Sequence, residues 1–127
     1  MERDFAGRVA LHYAALEGRT GEVRQALARG EDVAVSDDAG FTPLHFAAQQ
    51  GQADVAKVLV EAGAPLEARN KFGNTPLWVA VVNRRTGEGE RVVVVLVNAG
   101  ASRDAVNDSG ISVRDAAERM GVELPSP

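Results

Sequence analysis

The sequence predicts an all-α solenoid of helix–turn–helix repeats with short projecting turns. An Asp or Asn, a Gly three residues later and a Leu four residues after that occur three times. The leucines, Leu11, Leu44 and Leu77, are evenly spaced along the chain. In the first two copies a further Gly follows the Leu at the same interval, at positions 30 and 63. A repeat period of about 33 residues is typical of stacked supersecondary units, which present an extended surface suited to binding.

The composition restricts the classes of protein that fit. A chain of 127 residues has room for one domain, and 45% hydrophobic with 25% charged residues is typical of a folded soluble protein. The formal charge of -4 argues against a nucleic-acid surface, which normally carries a concentrated basic patch. The chain has no cysteine, which excludes disulfides and thiolate metal sites.

The ends and the hydropathy favour a cytoplasmic protein. Residues 1–4 lack the basic start and apolar core of a signal peptide. The longest strongly apolar run, residues 92–97, is far shorter than the ~20 residues that a membrane-spanning helix needs. We therefore expect no membrane contact, and we expect a monomer.

The repeated phrases predict the turns and the first helix of each unit. The Asp or Asn with its following Gly is typical of a tight turn, because Gly adopts positive φ without strain. Thr42-Pro43 and Thr75-Pro76 suit a helix start, with Thr at the N-cap and Pro at the first helical position. We expect first helices over residues 43–50 and 76–83.

Second helices are expected over residues 21–29, 53–62 and 90–99, each closed by a Gly at the left-handed C-cap position. Residues 91–97 conflict with this pattern, because their β-branched content favours a buried strand. The repeat aligns them with residues 54–60 of the preceding second helix. We follow the repeat and predict a helix, since packing commonly overrides weak propensities.

The spacing changes once. The interval from Leu77 to Gly100 is four residues longer than the corresponding intervals in the first two copies, and the extra residues lie within residues 83–91. Two glycines, three arginines and two glutamates in this stretch predict a solvated, flexible loop.

The chain closes with a shortened unit. Residues 107–110 repeat the turn, and Ser112 with Asp115 forms a capping-box pattern that predicts a helix to about Met120. Arg114 occupies the position of Leu44 and Leu77, which is tolerable on a last helix with no successor. Residues 121–127 contain no second-helix pattern, so we predict a truncated cap.

These residues resemble the ankyrin repeat over nearly the whole chain. The second copy carries the pattern in full, the third keeps most of it, and the first has Val9-Ala10 in place of Thr-Pro. The resemblance implies a single domain over residues 1–127, with repeats at about 4–36, 37–69 and 70–106. A cap at 107–121 and a tail at 122–127 complete it.

What the resemblance implies for function is non-enzymatic binding of another protein, without a cofactor. Members of the family mostly use the projecting turns, or fingers, and the exposed concave face of the first helices. Carried over by position, the finger candidates are Arg8, Asp38, Phe41, Lys71, Phe72 and Asn74. The helix-face candidates are Glu17, Gln49, Gln50 and Asn83.

Aromatic residues are concentrated at the fingers. Three of the six, Phe5, Phe41 and Phe72, fall there, and interface hot spots favour such anchors. We select Phe41 and Phe72 as anchors and expect Phe5 to cover the open N-terminal end. The alternative is that each ring folds back onto a neighbouring finger.

His12 and His45 are interpreted as structural residues. The ankyrin pattern implies that this histidine braces the turn by hydrogen bonding, with Trp78 supplying bulk at the same position. A metal pair or catalytic bases are the alternatives, but no third ligand or nucleophile recurs with the two histidines. Residues 87–90 lack the Lys-Ser/Thr that a phosphate-binding loop requires.

Two more specific functions remain open. The chain resembles small bacterial ankyrin proteins, some of which accompany secreted toxins, so it could be an immunity protein that inhibits a toxin enzyme. Alternatively, the loop at residues 84–91 could close on a small acidic molecule and make the protein a ligand-binding regulator.

Overall fold

A computed structural model describes residues 2–126, and Met1 and Pro127, which the domain and tail predictions include, lie outside the described residues. Within these residues the chain forms seven α-helices and one isolated antiparallel bridge between Val106 and Ser112, so the expected all-α solenoid is confirmed. None of these seven helices has the length and apolar character that crossing a bilayer requires. The helices are α1 Ala10–Leu16, α2 Thr20–Ala28, α3 Pro43–Gln50, α4 Ala53–Glu61, α5 Pro76–Val82, α6 Gly89–Asn98 and α7 Val113–Arg119.

The helices form two adjacent rows. The first helices α1, α3, α5 and α7 pack side by side, and the second helices α2, α4 and α6 form a row behind them. Leu11, Leu44 and Leu77 lie between the rows and are at most 1% exposed. Each repeat therefore buries its apolar side against its neighbours, as the even spacing of the leucines predicts.

The helix boundaries agree with the predictions to within one residue where the caps are strong. The Thr42 hydroxyl accepts from the His45 N–H at 3.3 Å, and the Thr75 hydroxyl accepts from the Trp78 N–H at 3.4 Å. At the closing ends of the second helices, the predicted left-handed glycines are confirmed. Their φ values are 87° at Gly30, 89° at Gly63 and 99° at Gly100.

The valine-rich segment is helical, as the repeat predicts. In α6, Val92, Val93, Leu96 and Val97 are buried on one side, whereas Val94 is exposed. The four buried side chains contribute to the core shared with α4 and α5, and this burial outweighs the β propensity of the segment.

The cap also follows the prediction. Arg114 is exposed on α7, and its Nε lies 3.0 Å from the Asp104 carboxylate. No charge is therefore buried in the core at this position. Residues 122–126 form no helix, but Val122 and Leu124 pack against the core. Arg103 fixes this tail by donating to the Pro125 carbonyl.

The connection between α5 and α6 spans residues 83–88, because α6 begins at Gly89 within the predicted loop of residues 83–91. Residues 85–88 are exposed, as expected for a solvated loop, but the backbone of the connection is hydrogen-bonded. Its N–H groups bond internally, from Thr86 to the Asn83 carbonyl at 2.8 Å, and across to repeat two, from Glu88 to the Gly51 carbonyl at 2.9 Å. Arg84 occupies the position in repeat three that Gly51 occupies in repeat two, where Gly51 ends α3 with a φ of 66°. Arg84 has no such positive φ, so the chain cannot turn there and continues to Gly87, whose φ is 54°.

Candidate functional site

Four turns with the same hydrogen-bond pattern form the fingers. In finger 2 (residues 37–41), one oxygen of the Asp37 carboxylate accepts the N–H groups of Ala39 and Phe41, both at 2.9 Å. Fingers 1 (4–8), 3 (70–74) and 4 (107–111) repeat this arrangement around Asp4, Asn70 and Asn107. The side chain of one residue therefore fixes the backbone of each finger.

Neighbouring fingers are also bonded to one another, and together they form what we call the finger row. In each case the N–H of the second finger residue donates to the carbonyl of the third residue of the preceding finger. The bonds run from Asp38 to Ala6 at 3.0 Å, from Lys71 to Ala39 at 2.8 Å, and from Asp108 to Phe72 at 3.0 Å. The tips are consequently held at fixed positions.

Two phenyl rings protrude from this row. Phe5 is 99% exposed and Phe72 is 53% exposed, with the Lys71 ammonium 5.1 Å from the centre of the Phe72 ring. The expectation that Phe5 covers the N-terminal end is wrong, because the ring touches almost nothing. Asp38, like Lys71, is exposed at the second finger position.

Phe41 adopts the alternative arrangement and folds inward. Its ring centre lies 5.4 Å from that of Phe46 and 5.5 Å from that of His45, and the side chain is half-buried against α3. The fifth finger position therefore faces the first helices, whereas the second and third positions face outward. This orientation limits the surface that Phe41 can offer to a partner.

Arg8 and Asn74 occupy the same inward position. The Arg8 Nε lies 3.1 Å from the buried carboxylate of Asp37, and the guanidinium carbon lies 4.9 Å from the Phe46 ring centre. The hydrogen bond to Asp37 raises the pKa of Arg8 above its ordinary value. Asn74 was expected at a fingertip, but it lies at the base of its finger and is only 8% exposed.

The histidines brace the turns, as the resemblance implied. In His45, Nδ1 accepts the Thr42 N–H at 3.1 Å, and Nε2–H donates to the Asn74 carbonyl at 2.8 Å. His12 bonds in the same way to the N–H of Val9 and the carbonyl of Val35. Burial lowers the pKa of both histidines, which favours the neutral form that these contacts require.

In repeat three the bulky side chain of Trp78 replaces the histidine, as expected, but it does not form the histidine's hydrogen bonds. Its backbone N–H is held by Thr75, but its indole N–H is buried without a partner among residues 2–126. Repeat three therefore has a weaker polar connection at this position than repeats one and two.

The helix-face candidates lie at the far ends of the first helices. Gln49 and Gln50 end α3, Glu17 follows α1, and Asn83 follows α5. Since these helices start at the fingers and are 7 or 8 residues long, their ends lie roughly 10 Å from the fingers. Glu17 is exposed and paired with Arg19, whereas the other three side chains are half-buried.

Comparison with known proteins agrees with this geometry. A family model described as ankyrin repeats (3 copies) matches residues 11–107. The chain belongs to the ankyrin repeat family. Ankyrin repeats are generally protein–protein interaction modules. No curated protein matches the chain.

On this ankyrin scaffold, the candidates chosen from sequence divide into three groups. Asp38, Lys71 and Phe72 lie at the tips of the finger row, whereas Arg8, Phe41 and Asn74 face the first helices. Glu17, Gln49, Gln50 and Asn83 form the third group, at the far ends of the first helices. Phe5 carries the same sequence signal as Phe72, an aromatic residue at a finger position, and its ring is also exposed.

The 83–88 connection borders two open cavities. Arg84 and Arg85 line both of them, one of about 320 Å³ that reaches Met120 and one of about 370 Å³ that reaches Arg91. A larger cavity of about 540 Å³ lies between α6 and the C-terminal tail. All three are open to solvent.

Proposed function

We propose that the protein binds another protein through the finger row, with Phe72 and Phe5 as apolar anchors. The observation that carries this proposal is the exposure of the two rings, 53% and 99%, on turns that are fixed by side-chain and inter-finger hydrogen bonds. Neither ring is needed to fill the core. Large aromatic side chains in a polar surrounding are typical of interface hot spots.

The charges beside the rings supply specificity. Asp38, Lys71 and Asp108 occupy the same position on successive fingers, so acidic and basic groups alternate along the row. Such a pattern selects a partner with the opposite alternation and repels others. The formal charge of -4 favours a partner that is neutral or modestly basic at the contact.

The rigid row predicts binding with little rearrangement, because ordering costs are already met in the free protein. In this proposal Phe41, Arg8 and Asn74 support the fingers from within, and Phe41 adds only the edge of its ring to the contact. The protein is proposed to act without catalysis or a cofactor, as a cytoplasmic monomer.

The test is affinity capture from extracts of the cells that make the protein, followed by mass spectrometry. We compare the unaltered protein with Phe72→Ser, and use Val94→Ser as the matched control because Val94 is 43% exposed on α6, away from the fingers. An anchor loss of about 2 kcal/mol or more should reduce capture at least tenfold for Phe72→Ser only.

The proposal would be contradicted if Phe72→Ser and the double variant Phe5→Ser, Phe72→Ser both captured as much partner as the unaltered protein does. A toxin enzyme as the captured protein would specify the function as that of an immunity protein. The same comparison would then extend to inhibition of that enzyme, which Phe72→Ser should weaken.

A further inference from the structure

The 83–88 connection is fitted closely to the end of α3. A Cβ atom added at Gly51 would lie 1.8 Å from the Thr86 carbonyl oxygen, and one at Gly87 would lie 2.7 Å from the Gln50 carbonyl oxygen. One added at Gly89 would lie 2.3 Å from the carbonyl oxygen of Arg84. Three glycines thus permit backbone contacts that no other residue would allow.

The connection is also tied to the cap. The Arg84 guanidinium donates to the Met120 carbonyl at 3.4 Å, while the Glu88 N–H holds the Gly51 carbonyl in repeat two. The 83–88 connection is therefore held against repeat two, repeat three and the cap, and we call it the platform. Insertions in repeat proteins commonly map to a binding face.

The platform presents two arginines with donors to spare. Arg85 is exposed and takes part in none of the ion pairs among residues 2–126, and Arg84 has only its contact with Met120. Arg91 is different, because its guanidinium lies 2.6 Å from the Glu88 carboxylate. Glu90 and Glu123 also lie beside the platform, and neither takes part in an ion pair in the described part of the chain.

We propose that this platform is a second contact surface, which binds an acidic segment of a partner protein through Arg84 and Arg85. Guanidinium groups match carboxylates with paired hydrogen bonds, and two adjacent arginines suit carboxylates on successive turns or alternate residues of a segment. The formal charge of -4 makes the chain as a whole repel an acidic segment, so binding of such a segment requires a local pair of cations such as Arg84 and Arg85.

An extended segment fits the shape better than a small molecule does. The cavity of about 370 Å³ that Arg84 and Arg85 border is open, whereas small-molecule sites bury most of the ligand surface. The platform lies at the opposite ends of the helices from the finger row. Its binding is therefore independent of Phe72 and does not rest on the proposed function.

The test uses a fluorescein-labelled peptide of alternating Glu and Gly, with the corresponding Gln and Gly peptide as the uncharged match, and fluorescence anisotropy. Arg85→Gln should raise the Kd by about fivefold, and Arg84→Gln with Arg85→Gln by tenfold or more. Glu90→Gln should lower the Kd by about twofold, because it removes the repulsive charge. Binding should weaken between about 50 and 500 mM salt.

Matched controls separate this surface from general charge effects. Arg24→Gln with Lys57→Gln removes two exposed cations from the second-helix side and should leave the Kd unchanged, as should Phe72→Ser. Arg85→Gln alone guards against a folding defect, because the exposed Arg85 side chain makes no hydrogen bond or ion pair among residues 2–126. Its thermal unfolding should match that of the unaltered protein.

Four results would overturn the proposal: no binding of the Glu peptide below about 1 mM, equal binding of the Gln peptide, equal loss in the Arg24, Lys57 control, or tighter binding on replacing Arg85. Displacement of the peptide by citrate at concentrations as low as the peptide's own Kd would assign the platform to a small anion instead.

Discussion

Replacing Gly51 by Ala tests the contact between repeat two and the 83–88 connection. Gly51 has a φ of 66°, and its added Cβ would meet the Thr86 oxygen at 1.8 Å and the Glu88 nitrogen at 2.7 Å. Both neighbours are backbone atoms, so they can move only if the connection itself moves. Gly63 is the matched control, because it has a φ of 89° but an added Cβ finds no atom within 4 Å.

The expected magnitude is the sum of two effects. A left-handed conformation costs a non-Gly residue about 1–2 kcal/mol, which both variants incur. Overpacking against fixed atoms costs a further 1–3 kcal/mol or so, which only Gly51→Ala incurs. We therefore expect a loss of about 2–5 kcal/mol for Gly51→Ala and about 1–2 kcal/mol for Gly63→Ala.

Urea unfolding followed by circular dichroism measures both losses. Amide exchange at Glu88 adds a local measurement, because its bond to the Gly51 carbonyl should open in Gly51→Ala and persist in Gly63→Ala. If the two variants lose stability within about 0.5 kcal/mol of each other, and Glu88 stays protected in both, the connection does not pack as described.

The other predictions concern the core, the finger rings and pH. Leu44→Ala should lose about 2–5 kcal/mol in urea unfolding, since Leu44 is fully buried between repeats, and a loss below about 0.5 kcal/mol would be inconsistent with stacking. Phe41→Ala should lose about 1–3 kcal/mol and Phe72→Ala less than about 0.5 kcal/mol in the same assay; equal losses would refute the inward orientation of Phe41. Burial holds the pKa of His12 and His45 below 6.5, so the unfolded chain protonates first as the pH falls. The unfolding free energy should reach its maximum above about pH 7. Below pH 6.5 it should decline by up to about 1.4 kcal/mol per pH unit for each histidine. An unfolding free energy that stays constant down to about pH 5.5 would contradict the neutral form of the two histidines.

The helices and turns could be predicted from sequence because local contacts fix them. The Asp37 carboxylate binds N–H groups two and four residues ahead, and Thr42 caps the helix that it precedes. Repetition at a constant spacing then identifies the same contacts in weaker copies, and it assigns the valine-rich segment to α6 against its propensity.

The outward or inward direction of a finger residue could not be predicted in the same way. Phe41 and Phe72 stand on opposite sides of the turn glycine, and only the three-dimensional turn sends one ring toward Phe46 and the other toward solvent. The same distinction separates exposed Lys71 from buried Asn74. Treating all finger positions as tips combined two different surfaces.

The packing of the 83–88 connection was also beyond local pattern. Its composition is typical of a solvated loop, and four of its six residues are exposed. What orders it is a contact between Gly51 and Thr86, which lie in different repeats and carry no shared motif. Such a contact requires a glycine, but the segment that approaches the glycine is set by the three-dimensional packing and not by a sequence motif.

Site-specific photo-crosslinking tests the finger row as a binding surface most directly. A photoreactive phenylalanine analogue is placed at residue 72 in one variant and at residue 94 in another, and both are irradiated in the cells that make the protein. We predict a discrete covalent adduct with one partner from residue 72 and none from residue 94. Adducts from residue 94 alone, or equal adducts from both positions, would contradict binding through the finger row.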